Sequence, residues 1–355
     1  MPHRTRRSGW WYSLGMRLIH NAVCRYRSFF AAGLLVSISA GAGAQLQPER
    51  LYYGKDRQVP VVVEIPGDME GEARVEIFDP LDSDESQENE GDAEPVMEAS
   101  VAAGRVDFAS LFPELWETES PTLRYAQLVV GDTRVGSPLV LQPLVTPAYA
   151  VQGQQGQPQF RRMPQTYSGL RIYPERHAVF ETTEGEIKFR MRPDHAPGTV
   201  NNFIHLIEGG FYTDIVFHRV IGERNGRPGF VIQVGDPTGT GTGGPGYFVD
   251  LEASRLPHDF GVLSMARSSE PNSNGSQVFV CLSRESTRML DGLYTSFAEA
   301  VSGADVIRKI GEVEVGEQDR PVDPPRIVRA YLTDAPPFGE GPLPVSDQEQ
   351  EPAAR

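Results

Sequence analysis

The sequence predicts a mainly β protein, in which a small β-rich, sandwich-like domain precedes a closed antiparallel β-barrel with two helices packed on it. Three observations favour this fold class. The 355 residues are long enough for two domains. The 36 glycines and 29 prolines supply many turns, and short β-branched or aromatic runs recur between them. Charged residues make up 23% of the chain, a balance typical of a globular protein.

Residues 1–44 form a basic leader with six arginines and no lysine or acidic residue. Two of these arginines precede an apolar run at residues 29–40, and residues 42–44 (Ala-Gly-Ala) match a signal-peptide cleavage site. The mature chain is therefore expected to begin at Gln45. The apolar run is shorter than the ~20 residues that a membrane-spanning helix needs. An uncleaved membrane anchor is the alternative.

The leader also bears on the compartment. Cys24 leaves with it, so Cys281 is the one cysteine of the mature chain. Such a chain forms no internal disulfide and is compatible with an oxidising compartment, and we expect export to a periplasm. The net charge of −15 becomes −21 without the leader, with 27 basic and 48 acidic residues remaining. This acidity argues against a nucleic-acid partner. The start of translation stays open between Met1 and Met16.

Residues 45–145 are predicted to form the β-rich domain. Residues 61–65 are mostly β-branched, and residues 74–78 alternate polar and apolar side chains. No catalytic constellation is visible here. The stretch 79–94 holds eight carboxylates, but their spacing fits no calcium-binding loop, so a solvated loop is the better interpretation.

The rest of the chain divides into three segments. Residues 146–172 are predicted to be a linker rich in Gln, Gly and Pro, and residues 336–355 a disordered, acidic, Pro-rich tail. Between them, residues 173–335 contain two strands around a Glu-Gly turn, a helix beginning at Pro197, further strand-like runs and a second helix at 304–310. This count favours a closed or nearly closed antiparallel barrel with two helices packed on it.

Common catalytic sites find little support. The Gly-rich run at residues 235–244 is not followed by Gly-Lys-Ser/Thr and fits no dinucleotide fingerprint, so turns explain its glycines better than phosphate binding. The seven histidines lack metal-ligand spacing, and His218 and His258 are interpreted as structural. Cys281 lies in an apolar strand, which is typical of a buried small hydrophobe. Of the reaction types considered, this leaves a non-covalent reaction in an apolar pocket, without metal or cofactor.

Four blocks carry a family resemblance. They are residues 217–221 (Phe-His-Arg-Val-Ile), 228–233 (Pro-Gly-Phe-Val-Ile-Gln), the Gly-rich run 235–244, and 271–280 (Pro-Asn-Ser-Asn-Gly-Ser-Gln-Val-Phe-Val). Together they closely resemble the cyclophilin-type peptidyl-prolyl cis/trans isomerases over about residues 179–310. The Ala266-Arg267 pair and the spacing from Met265 to Pro271 look like the bacterial branch. The resemblance implies an isomerase that needs no cofactor and acts on proline-containing polypeptides.

The resemblance also implies roles for individual residues. Arg219 would stabilise the twisted transition state as a permanent hydrogen-bond donor. Gln233, with backbone groups near Ala266 and Arg267, would hold the substrate backbone. The pocket for the proline ring falls on Phe230, Val231, Phe279 and Leu290, and further substrate-binding positions are His218, Gly241, Met289 and Tyr294.

This chain departs from the family pattern at several positions. Val231 stands where the family often has Met, and Tyr294 replaces a frequent His. Met289 stands where many eukaryotic members have Trp, which implies weak sensitivity to cyclosporin. Residues 222–227 look like an insertion beside the rim of the pocket.

Two functions stay open at this level. The first is an isomerase that speeds the folding of exported proteins. The second is a binding or scaffolding module that grips proline motifs with little turnover. A monomer is expected in either case, and contact with a membrane only through an uncleaved leader.

Overall fold

The computed structural model describes residues 45–80, 93–153 and 156–346. The predicted leader at residues 1–44 lies outside this part of the chain, as do most of the acidic loop and residues 347–355. Among the described helices, none is long and apolar enough to cross a membrane. The described chain is mainly β, as predicted.

The chain before residue 176 is built from short antiparallel strands. They are β1 (Leu46–Pro48), β2 (Tyr52–Gly54), β3 (Pro60–Val63), β4 (Ala73–Phe78), β5 (Met97–Ser100), β6 (Gly104–Asp107), β7 (Arg124–Val130), β8 (Thr133–Leu144), β9 (Tyr149–Gln152), β10 (Pro158–Arg161) and β11 (Gly169–Pro174). The sheets have the orders β1-β3-β6 and β2-β11-β8-β7-β4-β5, and β9 pairs with β10. Helix α1 (Phe108–Leu111) begins after Asp107, whose carboxylate accepts a hydrogen bond from the Ala109 N–H. The two larger sheets share one hydrophobic core.

The predicted linker at residues 146–172 contains regular structure. Strands β9 and β10 form a hairpin in which Phe160 lies opposite Ala150, a residue that is 2% exposed. Strand β11 pairs with β8 and continues past the predicted boundary to Pro174. The polar composition suggested no strand, but backbone N–H and C=O groups pair irrespective of side-chain polarity.

The second half of the chain forms one nine-stranded antiparallel sheet. Its strands are β12 (Arg176–Thr182), β13 (Gly185–Met191), β14 (Thr213–Val216), β15 (Arg219–Ile221), β16 (Val231–Val234), β17 (Val262–Met265), β18 (Val278–Cys281), β19 (Ser296–Ser302) and β20 (Arg326–Asp334). Their order is β14-β20-β12-β13-β19-β17-β18-β16-β15. Aromatic and aliphatic side chains of these strands form a large core with two of the helices.

The closed barrel predicted from the sequence is instead a curled sheet with two edges. Strands β14 and β15 are consecutive in the chain, yet they stand at opposite ends of the strand order and no ladder joins them within the described residues. Phe217 and His218 cross between the edges. The Phe217 N–H donates to the carbonyl of Pro325, and the His218 N–H donates to that of Gln233. The chain thus joins the two edges through these two residues, one bonded to each side, and no ladder runs between β14 and β15 in the described residues.

The two predicted helices are present. The helices of this part are α2 (Pro197–Glu208), α3 (Arg284–Thr287) and α4 (Ala304–Gly311), and 3₁₀ turns span Pro113–Leu115, Arg288–Leu290 and Glu317–Asp319. In α2, Pro197 occupies the first turn, where its missing N–H costs no hydrogen bond. The helix buries Val200, Phe203 and Ile207 against the sheet, and their i, i+3 and i+7 spacing places them on one helical face.

The C-terminal segment is ordered for longer than predicted. Disorder was expected from residue 336, but Phe338 is buried and stacks on Phe78 with ring centroids 4.6 Å apart. Further on, the Val345 N–H donates to the Ala300 carbonyl at 2.8 Å. The Pro-rich composition concealed two apolar side chains that dock on separate parts of the fold. Residues 347–355 lie beyond the described chain.

Candidate active site

Three adjacent strands place Arg219, Gln233 and Phe279 in one row. Arg219 of β15 lies opposite Gln233 of β16, which in turn lies opposite Phe279 of β18. Residues paired across neighbouring strands project from the same face of a sheet. The alternate residues Ile232 and Val280 face the other way, into the main core. Strand alternation thus separates a face that packs from a face that is available for chemistry.

A chain of polar side chains, here called the polar rim, consists of Arg219, Gln233 and Gln277. Arg219 Nη1 donates to Gln233 Oε1 at 3.4 Å, and 42% of the arginine side chain is exposed. Gln233 Nε2 donates to Gln277 Oε1 at 2.9 Å. Gln277 Nε2 in turn donates to the carbonyls of Gly241 and Gly243. The rim therefore runs from the guanidinium to the Gly-rich loop.

Sequence reasoning missed two residues at this rim. Gln277 stands two positions before Phe279, and the period of two in a strand would have placed it on the same face. The other is Asp319, whose Oδ2 lies 3.9 Å from Arg219 Nε. Asp319 comes from a turn far along the chain, and no local pattern marks it.

The Gly-rich loop is organised by a buried carboxylate. Asp236 is fully buried and accepts hydrogen bonds from the N–H groups of Thr238 and Gly241. Burial alone would raise the pKa of Asp236, but these donors and the Gly243 N–H hold it well below its usual range. A Cβ at Gly243 would lie 2.1 Å from Asp236 Oδ1. The glycines thus serve tight turns around the carboxylate, as predicted.

An apolar floor lies beside the polar rim. Its buried members are Val231, Leu256, Val262, Phe279, Cys281 and Leu290, and Phe230, Ala266 and Tyr294 pack against them. The structure therefore brings the four predicted pocket residues together. It adds Leu256, Val262 and Cys281, which the sequence did not assign to the pocket. Cys281 follows Phe279 by two positions on β18, whereas Leu256 and Val262 come from other segments of the chain.

The far side of the floor is fixed by Tyr294 and Arg267. The Tyr294 ring meets Phe279 edge-on, with centroids 5.7 Å apart. The Arg267 guanidinium lies over the Tyr294 ring at 4.7 Å, and its Nε donates to the carbonyl of Leu293. The Ala266 N–H donates to the Gln277 carbonyl at 2.9 Å. The strand end carrying Ala266 and Arg267 is therefore tied to the polar rim.

His218, Gly241 and Met289 stand at the margins of the site. His218 is buried, and neither of its ring nitrogens has a hydrogen-bond partner among the described residues. Burial lowers the pKa of His218, against the negative charge of Asp236, so the ring is neutral at neutral pH. Gly241 has a φ of 91°, and a Cβ there would lie 3.5 Å from the imidazole. Met289 is 68% exposed and outside the floor cluster.

His258 and Cys281 have structural surroundings. His258 Nδ1 lies 3.0 Å from Asp291 Oδ1, and Nε2 lies 2.9 Å from Ser264 Oγ. Cys281 is buried, and burial raises the pKa of its thiol, so a reactive thiolate is disfavoured. Both residues match their sequence interpretation. Across the described ranges, no group of three His, Cys, Asp or Glu residues is placed to hold a metal.

Comparisons with known proteins identify relatives of the second half of the chain. Residues 177–332 match the family described as cyclophilin type peptidyl-prolyl cis-trans isomerase/CLD. Peptidyl-prolyl cis-trans isomerase-like 1 of Aspergillus fumigatus is 42% identical over 161 residues, which cover 44% of this chain and 94% of that protein. A peptidyl-prolyl cis-trans isomerase of Schizosaccharomyces pombe is 40% identical over 155 residues, covering 42% of this chain and 94% of its own.

Among solved structures, a cyclophilin-type isomerase of Cryptosporidium parvum, crystallised in the presence of the dipeptide Ala-Pro, is 33% identical. The match covers 44% of this chain and 98% of that one, with a TM-score of 0.41.

Proposed function

The chain belongs to the cyclophilin-type peptidyl-prolyl cis-trans isomerase family, and we propose that it isomerises Xaa-Pro bonds in exported polypeptides through Arg219. The observation that carries this proposal is the row formed by Arg219, Gln233 and Phe279 on three adjacent strands. It sets a permanent cation and an amide beside an aromatic floor. A planar, proline-containing segment could lie across such a row.

The chemistry of the reaction explains why an arginine suffices. Amide resonance gives Xaa-Pro rotation a barrier of ~18–20 kcal/mol. The twisted transition state has lost that resonance, so its prolyl nitrogen becomes pyramidal and can accept a hydrogen bond. A guanidinium that donates to this nitrogen stabilises the twisted state more than either planar state.

The other residues hold the substrate. The apolar floor takes up the proline ring and leaves the preceding carbonyl able to turn. Gln233 and the backbone near Ala266 and Arg267 keep the substrate backbone in place.

An isomerisation assay on an Xaa-Pro tetrapeptide tests the proposal. We expect Arg219→Ala to lower kcat/KM at least about 100-fold, since one transition-state donor is worth about that factor. Arg255→Ala is the matched control, because Arg255 is an exposed arginine of the same part of the chain. Tight peptide binding by the wild type without turnover would instead favour the binding module.

The exported location and the bacterial branch belong to the same proposal. The basic leader, its short apolar run and the Ala-Gly-Ala site support export, and the single cysteine after Gln45 is compatible with an oxidising compartment. The relatives named above are fungal, so the bacterial branch rests on the Ala266-Arg267 pair. Cell fractionation with N-terminal sequencing tests the location. A periplasmic monomer beginning at Gln45 is expected, and a cytoplasmic chain that retains its leader contradicts it.

A further inference from the structure

Two tight turns meet beside Arg219. The first lies within the inserted residues 222–227, where Arg224 and Arg227 exchange backbone hydrogen bonds of 3.2 and 3.0 Å. Asn225 and Gly226 between them have φ values of 53° and 71°. Two central residues with positive φ define a type I′ turn, for which Asn-Gly is the favoured pair. The insertion is therefore a small hairpin of its own.

The second turn has the same shape and a less suitable sequence. The Arg320 N–H donates to the Glu317 carbonyl, and Gln318 and Asp319 between them have φ values of 58° and 57°. A residue such as Gln is uncommon at positive φ, and Asn-Gly would be less strained in this turn. Strained backbone that persists at the edge of a binding site points to a functional demand on the side chains it presents.

The side chain that this turn presents is the Asp319 carboxylate. Its Oδ2 lies 3.9 Å from Arg219 Nε, and its Oδ1 lies 3.5 Å from Arg224 Nη1. About a third of the Asp319 side chain and two fifths of each arginine are exposed. Ion pairs this exposed contribute little to folding stability. Whether they orient the two arginine side chains does not depend on that contribution.

Orientation is what the Arg219 guanidinium needs. Asp319 faces its Nε, and Nη1 donates to Gln233. Nη2 makes no hydrogen bond within the described part of the chain. Because the guanidinium is planar and rigid, the hydrogen bond at Nη1 and the ion pair at Nε together limit the direction of the third nitrogen. Nη2 is then the donor left for the prolyl nitrogen.

We propose that Asp319 is a positioning residue for Arg219, an inference that rests on the function proposed above. It holds the Nε side of the guanidinium, so that Nη2 meets the prolyl nitrogen as the bond twists. Arg224 shares the same carboxylate, and the inserted hairpin is thereby linked to the catalytic arginine.

Four variants of the full chain separate positioning from turn structure. Asp319→Asn keeps the shape and removes the charge, and Asp319→Gly removes the carboxylate while relaxing the strained φ. Glu317→Gln and Gln318→Gly are the controls, since they remove a neighbouring carboxylate or relax the neighbouring φ and leave Asp319 intact.

We expect both Asp319 variants to lower kcat about five- to tenfold with KM within about twofold, because a misplaced donor weakens the transition state more than the bound ground state. Their melting temperatures should not fall, and Asp319→Glu should recover part of the kcat. The controls should keep the wild-type kcat. Wild-type kcat in Asp319→Asn, or an effect confined to KM, overturns the inference.

A double variant distinguishes this inference from the function on which it rests. In an Arg219→Ala background, Asp319→Asn should have no further effect, because both changes remove the same interaction. If Arg219→Ala itself stays active, the proposed function fails. If Arg219→Ala is inactive and Asp319→Asn is fully active, only the positioning role fails.

Discussion

Two arginines of the second half of the chain, Arg192 just after β13 and Arg219 in β15, stand in opposite surroundings. Arg192 is 5% exposed, and its Nε and Nη2 donate to Asp194 at 3.1 and 2.8 Å. Its Nη1 donates to Glu299 at 3.1 Å. The Arg219 side chain is 42% exposed, and the one hydrogen bond that its guanidinium makes to the described residues is the 3.4 Å contact with Gln233. The first guanidinium is saturated by its neighbours, and the second keeps a nitrogen, Nη2, that makes no hydrogen bond to the described residues.

This contrast distinguishes polar groups that stabilise the fold from polar groups that act on a substrate. A buried charge must be paired, or the fold bears the cost of its desolvation. A group that acts on a substrate must keep an unused donor, and the fold tolerates that only where water can reach it. The surroundings of Arg192 therefore indicate a structural role, and those of Arg219 leave it free for the catalytic role proposed above.

The largest effect on stability is expected at the saturated arginine. Arg192→Ala leaves the Asp194 and Glu299 carboxylates buried without their cation, which should cost about 3–5 kcal/mol of unfolding free energy. Urea unfolding measures the loss, and activity per folded molecule should stay at the wild-type level. A stable Arg192→Ala protein with reduced turnover would reverse the contrast.

A buried histidine, His177, tests the structural side of this contrast through the pH dependence of stability. His177 is 2% exposed, and burial lowers its pKa to about 4, with the positive charge of Lys188 acting in the same direction. In the unfolded chain the pKa of His177 has its ordinary value of about 6.5. The unfolded chain therefore binds the proton more readily than the folded one. The stability from neutral His177 is therefore present above pH 6.5 and is lost as the pH falls towards 4.

At pH 4.5 this histidine should account for a loss of about 2.5 kcal/mol relative to pH 7.5. Urea unfolding of His177→Gln beside the wild type isolates the contribution, because the other titrating groups are common to both. Parallel pH dependence in the two proteins would show that His177 is not held neutral.

The smallest of these effects is expected at the middle of the polar rim. Gln277→Ala removes the acceptor of Gln233 Nε2 and the tie to the Gly-rich loop. Of the three hydrogen bonds lost, the one from Gln233 involves a residue that we propose holds the substrate. One such neutral hydrogen bond is worth about 1 kcal/mol, so kcat/KM should fall about fivefold. Gln159→Ala, an exposed glutamine of β10, is the control. A loss as large as that of Arg219→Ala would give Gln277 a direct role in the reaction.

The family resemblance supplied Arg219, Gln233 and Phe279, and the strand pairing in the structure explains why they share a face. Helical spacing explains the buried face of α2. Sequence reasoning thus reached these positions by resemblance and by periodicity. It missed Asp319, because the approach of a distant turn is a property of the tertiary fold.

Two further differences between the sequence prediction and the structure, the buried Phe338 and the curled sheet, also depend on the tertiary fold. The burial of Phe338 depends on a partner surface formed by Phe78 and Tyr125, which the Pro-rich tail does not reveal. Whether the curled sheet closes depends on the two-residue crossing at Phe217 and His218, and the number of strands alone does not determine it.

The central claim is that the unsaturated Arg219 carries catalysis and the saturated Arg192 carries structure. The most direct test measures kcat/KM on an Xaa-Pro tetrapeptide and urea unfolding on the same preparations of Arg219→Ala and Arg192→Ala. We expect Arg219→Ala to lose at least about 100-fold in kcat/KM with unchanged unfolding, and Arg192→Ala to lose stability with unchanged activity per folded molecule. Near-wild-type turnover by Arg219→Ala would contradict the account.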